Sequence, residues 1–247
     1  MTATLASYDS RRADRVLFLG SAGVPVVRVR AGAWSDPAAR QPHAIVHIVH
    51  HDGAAADRLA ALCRATGIEA QTHGSVQAFA EAVLHDAPGC LFLQVRSASA
   101  SEIQALAGRV AAVALPPMIV AAEHAEVRTA VLAMKAGAIE FFERAPRDQD
   151  LLDAIGTAIG MDRARRRLAV DCAALRAAST SLTDRERQVM ALVTQGLLNK
   201  QVAGEMGITE ITVKAHRGAV MRKMGARTLA DLVRMADALA YLNESPN

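Results

Sequence analysis

Residues 182–235 read LTDRERQVMALVTQGLLNKQVAGEMGITEITVKAHRGAVMRKMGARTLADLVRM, and the punctuation of this run leaves little freedom in what it can fold into. Thr183 followed three positions later by Glu186 is a capping box, so a helix starts there. Val189, Met190, Leu192 and Val193 give that helix an apolar stripe, and Gly196 stops it. A short helix over Asn199–Met206 follows, with Val202, Ala203 and Met206 inward, and Gly207 breaks it. Thr209 then caps a third helix whose packed side is expected to hold Ile211, Val213, Val220, Met221 and Met224. Its other face shows Thr212, Lys214, His216, Arg217, Arg222 and Lys223. A fourth helix carries Leu229, Leu232, Val233 and Ala236 at helical spacing.

Two helices joined by a short glycine-containing turn are the helix-turn-helix, whose second helix enters the major groove of DNA. The charge agrees with such a partner. From Glu210 to Arg227 there are five Lys/Arg (214, 217, 222, 223 and 227) against the single acid Glu210. A solvated charged face on an ordinary helical domain is the competing reading, and the caps and turn weigh against it.

The segment resembles the LuxR-type DNA-binding domain of NarL/FixJ response regulators. The matching pieces are Leu182-Thr183-x-Arg185-Glu186, Gly196-x-x-Asn199-Lys200-x-Val202-Ala203 and Ile208-Thr209-x-x-Thr212-Val213-Lys214-x-His216, then Met221-x-Lys223-Met224 and Leu229-x-x-Leu232-Val233. The resemblance implies that the helix containing Thr212 to Arg217 reads the major groove, with Lys200 holding phosphates. Thr209, Val213, His216 and Arg222 complete the implied DNA surface. Lys214, Ala215 and Gly218 fall where such domains touch bases. Gly218 offers no side chain, so base reading would rest on Lys214, Arg217 and the Ala215 methyl. Leu229, Leu232, Val233 and Ala236 correspond to the family's dimer contact.

The 247 residues allow two domains, and charge divides them. Residues 43–150 carry 8 basic and 12 acidic side chains, while the segments on either side are each net basic. An acidic block beside a basic DNA-binding end fits a regulator with a separate input domain. No apolar run approaches the roughly 18–20 residues that a membrane span requires. No secretory signal is evident either, and Cys63, Cys90 and Cys172 form no CxxC or paired framework. The expectation is a cytoplasmic protein with buried reduced thiols and no membrane association.

In residues 43–150, apolar runs at 44–49, 90–95, 118–121 and 138–142, with a weaker one at 68–72, alternate with helical stretches near 54–66, 75–86, 101–112, 126–136 and 148–160. Five βα units of this size predict a doubly wound five-stranded parallel sheet, flavodoxin-like, with its functional crevice at the carboxyl ends of the strands. The block resembles the receiver domain of the same regulators, through Val46-His47-Ile48-Val49, Ala133-Met134-Lys135-Ala136-Gly137-Ala138 and Phe141. That resemblance implies acidic Mg²⁺ ligands after the first strand and a phosphoacceptor Asp after the third. It also implies a hydroxyl after the fourth and a Lys after the fifth. This chain departs at each place: His50-His51 with Asp52 one position later, Gln94, Ala122, and Arg144-Ala145. A carboxamide has no anionic oxygen to attack phosphorus, and imidazoles serve Mg²⁺ badly. The reading is a pseudo-receiver not switched by aspartyl phosphorylation.

Imidazole suits Zn, Cu, Fe and Ni, so His50, His51, Asp52 and His124 raise the question of a metal or haem. Neighbours on one strand end point opposite ways, which argues against a shared ion. No metal and no cofactor are expected. Nor is an enzyme, because Gln94 with either histidine makes no nucleophile–base–orienter set.

Residues 150–178 read as one linker helix between the domains. Leu151, Leu152, Ile155 and Ile159 pack early in it, and Leu168, Cys172 and Leu175 offer a second edge that a dimer seam or solvent could claim. Arg163, Arg165, Arg166 and Arg167 would approach phosphates or keep the helix soluble, and the chain loosens from Ala178 to Ser181. Residues 1–42 read either as short strands at 16–20 and 25–30 or as a disordered extension. The domains are therefore 1–42, 43–150, 151–180 and 181–247, with the helix-turn-helix at about 199–218. The expected function is transcriptional regulation by a homodimer on double-stranded DNA. Two alternatives stand beside it: a ligand- or metal-gated sensor, and an adaptor that docks a protein partner on the receiver face.

Overall fold

The computed structural model describes residues 14–17, 27–30, 43–82, 86–95, 115–123 and 127–244. They fall into two compact units, residues 37–167 and a second formed by residues 1–36 with 168–247.

The first unit is the expected parallel sheet. Its strands are β3 (Ile45–Val49), β4 (Glu69–His73), β5 (Gly89–Val95), β6 (Met118–Ala122) and β7 (Ala138–Phe142), in the order β4-β3-β5-β6-β7. Every residue of β3, β5 and β6 is buried, as strands covered on both faces must be. One face packs Val46, Ile48, Cys90, Phe92 and Ile119 against helix α1 (Gly53–Ala65) and against Leu151, Ile155 and Ile159. The other packs Val49, Leu91, Leu93 and Val120 against α2 (Val76–Glu81) and α3 (Val127–Lys135). Helix α2 ends well before the expected residue 86, because Ala82 turns to extended backbone. The helix expected at 101–112 lies outside the described residues.

At the amino ends of the strands, Asp162 is fully buried and saturated. Its carboxylate accepts from the Gly89 N–H at 3.0 Å, from Arg165 Nη2 at 2.6 Å and from Arg166 Nε at 2.8 Å. A buried carboxylate persists only when paired in this way. Gly89 lies opposite Ile45 in the parallel register, and a Cβ added there would sit 2.1 Å from the Ile45 carbonyl oxygen. Only glycine fits.

Helix α4 runs unbroken from Asp148 to Thr180. Residues 148–160 and the linker helix are thus one element. Leu151, Ile155, Ala158 and Ile159 belong to the core beneath the sheet, so this part is the sheet's own covering helix rather than a link. Arg165 and Arg166 are committed to Asp162. Of the second apolar edge, Leu175 is buried and Leu168 half-buried in the core of the helical domain, while Cys172 is half-buried. The loosening expected from residue 178 shrinks to Ser181 and Leu182.

The second unit holds α5 (Asp184–Thr194), α6 (Asn199–Met206), α7 (Glu210–Met224) and α8 (Leu229–Glu244) around a core of Val189, Val193, Val202, Val213, Val220, Met224 and Leu232. Strands β1 (Asp14–Leu17) and β2 (Val27–Arg30) form an antiparallel pair, which favours the short-strand reading of those stretches. All three cysteines are free thiols, and burial pushes each above its ordinary pKa. Among the described residues, no helix is long and apolar enough to cross a membrane.

Candidate nucleic-acid interface and receiver pocket

The helix-turn-helix is built by its caps. Thr183 Oγ1 accepts from the Glu186 N–H, while Glu186 Oε2 accepts from the Thr183 N–H at 2.7 Å. Lys223, at the end of α7, donates to the same Glu186 oxygen at 2.7 Å and to the Ser181 carbonyl at 3.1 Å. The Lys223 ammonium and the Thr183 N–H hold the Glu186 carboxyl down at about 2, against the opposing pull of burial. Lys223 is therefore a clamp between helices rather than part of a DNA face. At the turn, the Leu198 N–H donates to Gln201 Oε1 at 2.8 Å, and Gly207 takes the left-handed conformation (φ +64°) that an L side chain adopts only with strain. Thr209 Oγ1 accepts from the Thr212 N–H at 3.2 Å and starts α7. Arg217 Nη1 donates to Asn199 Oδ1 at 3.2 Å, tying the two helices together.

The residues expected on the DNA surface divide accordingly. Lys200, Thr209, Lys214, Ala215 and Arg222 are exposed, and Thr212, His216 and Arg217 are half-buried. Val213 is completely buried in the core and cannot meet DNA. Ile211, expected on the packed side, is instead 79% exposed. With 3.6 residues per turn it stands about 160° round the helix from Val213. The outward stripe of α7 is then Ile211, Ala215, Gly218 and Arg222, at spacings of four, three and four. A Cβ at Gly218 would meet only Arg222 Nη1, at 3.6 Å. Of the expected dimer stripe, Leu232 is fully buried in the domain's own core, and Leu229 and Ala236 pack partly against it. Val233 is half-buried.

At the carboxyl end of the sheet, β3 and β5 lie side by side where the strand order reverses, the crevice position of doubly wound sheets. His50 and His51 follow β3. Their rings stack, with centroids 4.9 Å apart and planes at 22°, rather than pointing opposite ways. Strand β3 stops at Val49, so pleat alternation no longer governs them. His50 Nδ1 accepts from the Asp52 N–H at 2.9 Å, and burial, with His51 beside it, lowers its pKa. Asp52 is the N-cap of α1 and accepts from the N–H groups of Ala54 (2.9 Å) and Ala55 (3.4 Å), which hold its carboxyl below the ordinary range. Gln94 is buried beside Ala121, Ala122 ends β6 fully buried, and Arg144 is exposed beyond β7.

Two features here escaped sequence reasoning. Glu123 lies close enough to His50 to offset part of the lowering that burial and His51 impose. Buried His47 and half-buried His73 approach at 3.2 Å between Nδ1 and Nε2, with Phe79 edge-on to both. The parallel register, which pairs His73 with Val49 two residues beyond His47, is the signal that would have found them. His124 lies outside the described residues. Among the described residues, no group of three or more His, Cys, Asp or Glu is placed to hold a metal ion.

A five-stranded doubly wound domain joined in one chain to a capped helix-turn-helix defines a two-domain DNA-binding regulator. Residues 180–236 match the family described as bacterial regulatory proteins, luxR family. Nodulation protein W of Bradyrhizobium diazoefficiens is 40% identical over 196 residues, covering 79% of this chain and 86% of that protein. Transcriptional regulatory protein FixJ of Azorhizobium caulinodans is 34% identical over 191 residues, covering 77% and 90%. The solved structure of the response regulator StyR superposes with a TM-score of 0.70 at 37% identity, covering 79% of this chain and 98% of that one. This chain belongs to the NarL/FixJ-type response regulators with a LuxR-type helix-turn-helix, a family of DNA-binding transcriptional regulators.

Proposed function

We propose that the chain regulates transcription by binding specific DNA sequences as a homodimer, without an aspartyl phosphate switch on its receiver. The observation that carries this reading is the contrast between the two sites. The face of α7 away from the core offers Lys214, Ala215 and Arg222, with Thr212, His216 and Arg217 at its margin and Lys200 on α6 for the phosphates. The receiver pocket offers Gln94 where a carboxylate would attack phosphorus, and Ala122 where a hydroxyl would sense the product. Asp52, the one acid directly after β3, spends its Oδ1 capping α1.

An amide oxygen cannot form an acyl phosphate, so control falls to dimer geometry, expression level, a ligand or a partner. In this reading residues 43–150, covered by the start of α4, are a pseudo-receiver, the remainder of 151–180 is the connecting helix and 181–247 the DNA-binding domain of a cytoplasmic protein. Leu229, Val233 and Ala236 supply the dimer contact, and half-sites lie about 10 base pairs apart, one turn of DNA. Selection from random genomic fragments, followed by incubation with a small-molecule phosphodonor, tests the reading. It expects an enriched two-fold related site and no stable phosphoprotein. A phosphorylated receiver residue that changes affinity for the site would overturn it.

A further inference from the structure

The outward stripe of α7 carries a large apolar side chain that the fold does not use. Ile211 is the second residue of the helix and 79% exposed, while Val213, two positions on, fills the core. An exposed β-branched residue gains nothing for an isolated helix turn, where straight-chain residues are better formers. Its neighbours on the same turn and the next are Lys214 and Ala215, both exposed, and the Thr209–Thr212 hydroxyl pair, 2.9 Å apart, braces the turn from the side. The N-terminal turn of the second helix is the part that reaches base edges.

The major-groove edge of thymine carries a 5-methyl group beside its O4 acceptor, and apolar side chains read that methyl by contact. Ile211 has a stiff χ1, so little conformational freedom is lost when that contact forms. Two methyl-bearing residues, Ile211 and Ala215, then share one stripe with Gly218, where no side chain intervenes. We infer that Ile211 is a specificity-determining residue that reads the 5-methyl group of a thymine in each half-site, beside the polar reading by Lys214. This rests on the proposal that the chain binds DNA sequence-specifically.

The test uses the full-length chain and a site selected from a random duplex library. Each thymine of that site is replaced in turn by deoxyuridine, which removes only the methyl group, and wild type and Ile211→Ala are compared by competition at fixed salt. At one thymine per half-site, deoxyuridine should weaken wild type about fourfold, the value of burying one methyl-sized group, and leave Ile211→Ala unchanged. Equal deoxyuridine penalties for both proteins at every thymine would overturn the inference while leaving sequence-specific binding intact. Failure to select any site overturns both. Since Ile211 is exposed and alanine is the better helix former, the variant should melt at or slightly above wild type, and a melting curve no lower than wild type keeps loss of fold from imitating loss of reading.

Discussion

Gly218→Ala separates what the fold needs from what the interface needs. Gly218 is the ninth of fifteen residues in α7, well inside the helix, and its φ is not positive. The added Cβ would meet Arg222 Nη1 at 3.6 Å, an ordinary contact with the far end of a flexible side chain. A helix-interior glycine costs about 0.8–1.0 kcal/mol relative to alanine, through the backbone freedom it loses on folding. The substitution should therefore stabilise the helical domain by close to that amount, a rise of about 4–8 °C in the melting temperature of a domain this small. If the outward stripe lies against the groove, the same methyl stands between helix and bases and specific affinity should fall by threefold or more. Melting by circular dichroism and competition binding on one preparation read both. A lower melting temperature would refute the steric account of Gly218. Unchanged or tighter binding would refute the placement of the stripe at the DNA.

Lys214→Ala should relax base preference and cost about 1–3 kcal/mol on the selected site. Lys200→Ala should weaken specific and random DNA alike and flatten the logarithmic salt slope by about one. Equal losses for both variants on both kinds of DNA would refute these roles. Glu186 binds its proton more weakly folded than unfolded, so its contribution is full above about pH 4.5 and vanishes as pH falls through about 2. Glu186→Gln should remove that part of the acid dependence, which urea unfolding between pH 6 and 3 would detect. Leu232→Ala should cost about 2–5 kcal/mol of domain stability even at concentrations where the protein is monomeric. A variant that loses only self-association would place Leu232 at a subunit contact instead.

Element boundaries in the helical domain were legible because chemistry marks them. The Thr183–Glu186 box, Thr209 and Gly207 each do locally what their residue types do in isolation. The parallel sheet was legible because strands buried on both faces are continuous apolar runs. Helical phase was harder to read. Ile211 and Val213 are both apolar, and residue type alone assigned Ile211 to the core that Val213 fills. Leu232 likewise looked available for a partner because the stripe on α8 could face either way. What depended on tertiary approach was not legible. The Lys223–Glu186 pair spans 37 residues, and Asp162 meets Gly89 across 73. The stacking of His50 and His51 arises because they lie just past the last strand residue, where the alternation rule lapses.

The close approach of Gly89 to the Ile45 carbonyl gives the receiver an uneven tolerance to change. At the carboxyl ends of the strands, His51 and Arg144 are exposed and can vary with little cost to the fold. At the opposite end, one extra carbon at position 89 would drive two paired strands apart and pull the Gly89 N–H from Asp162. A saturation-mutagenesis map scored for folding alone should therefore be permissive along the rim at the carboxyl ends of the strands and blank at Gly89. Variants made to probe the receiver can alter the rim freely, and should leave the far end of the sheet untouched.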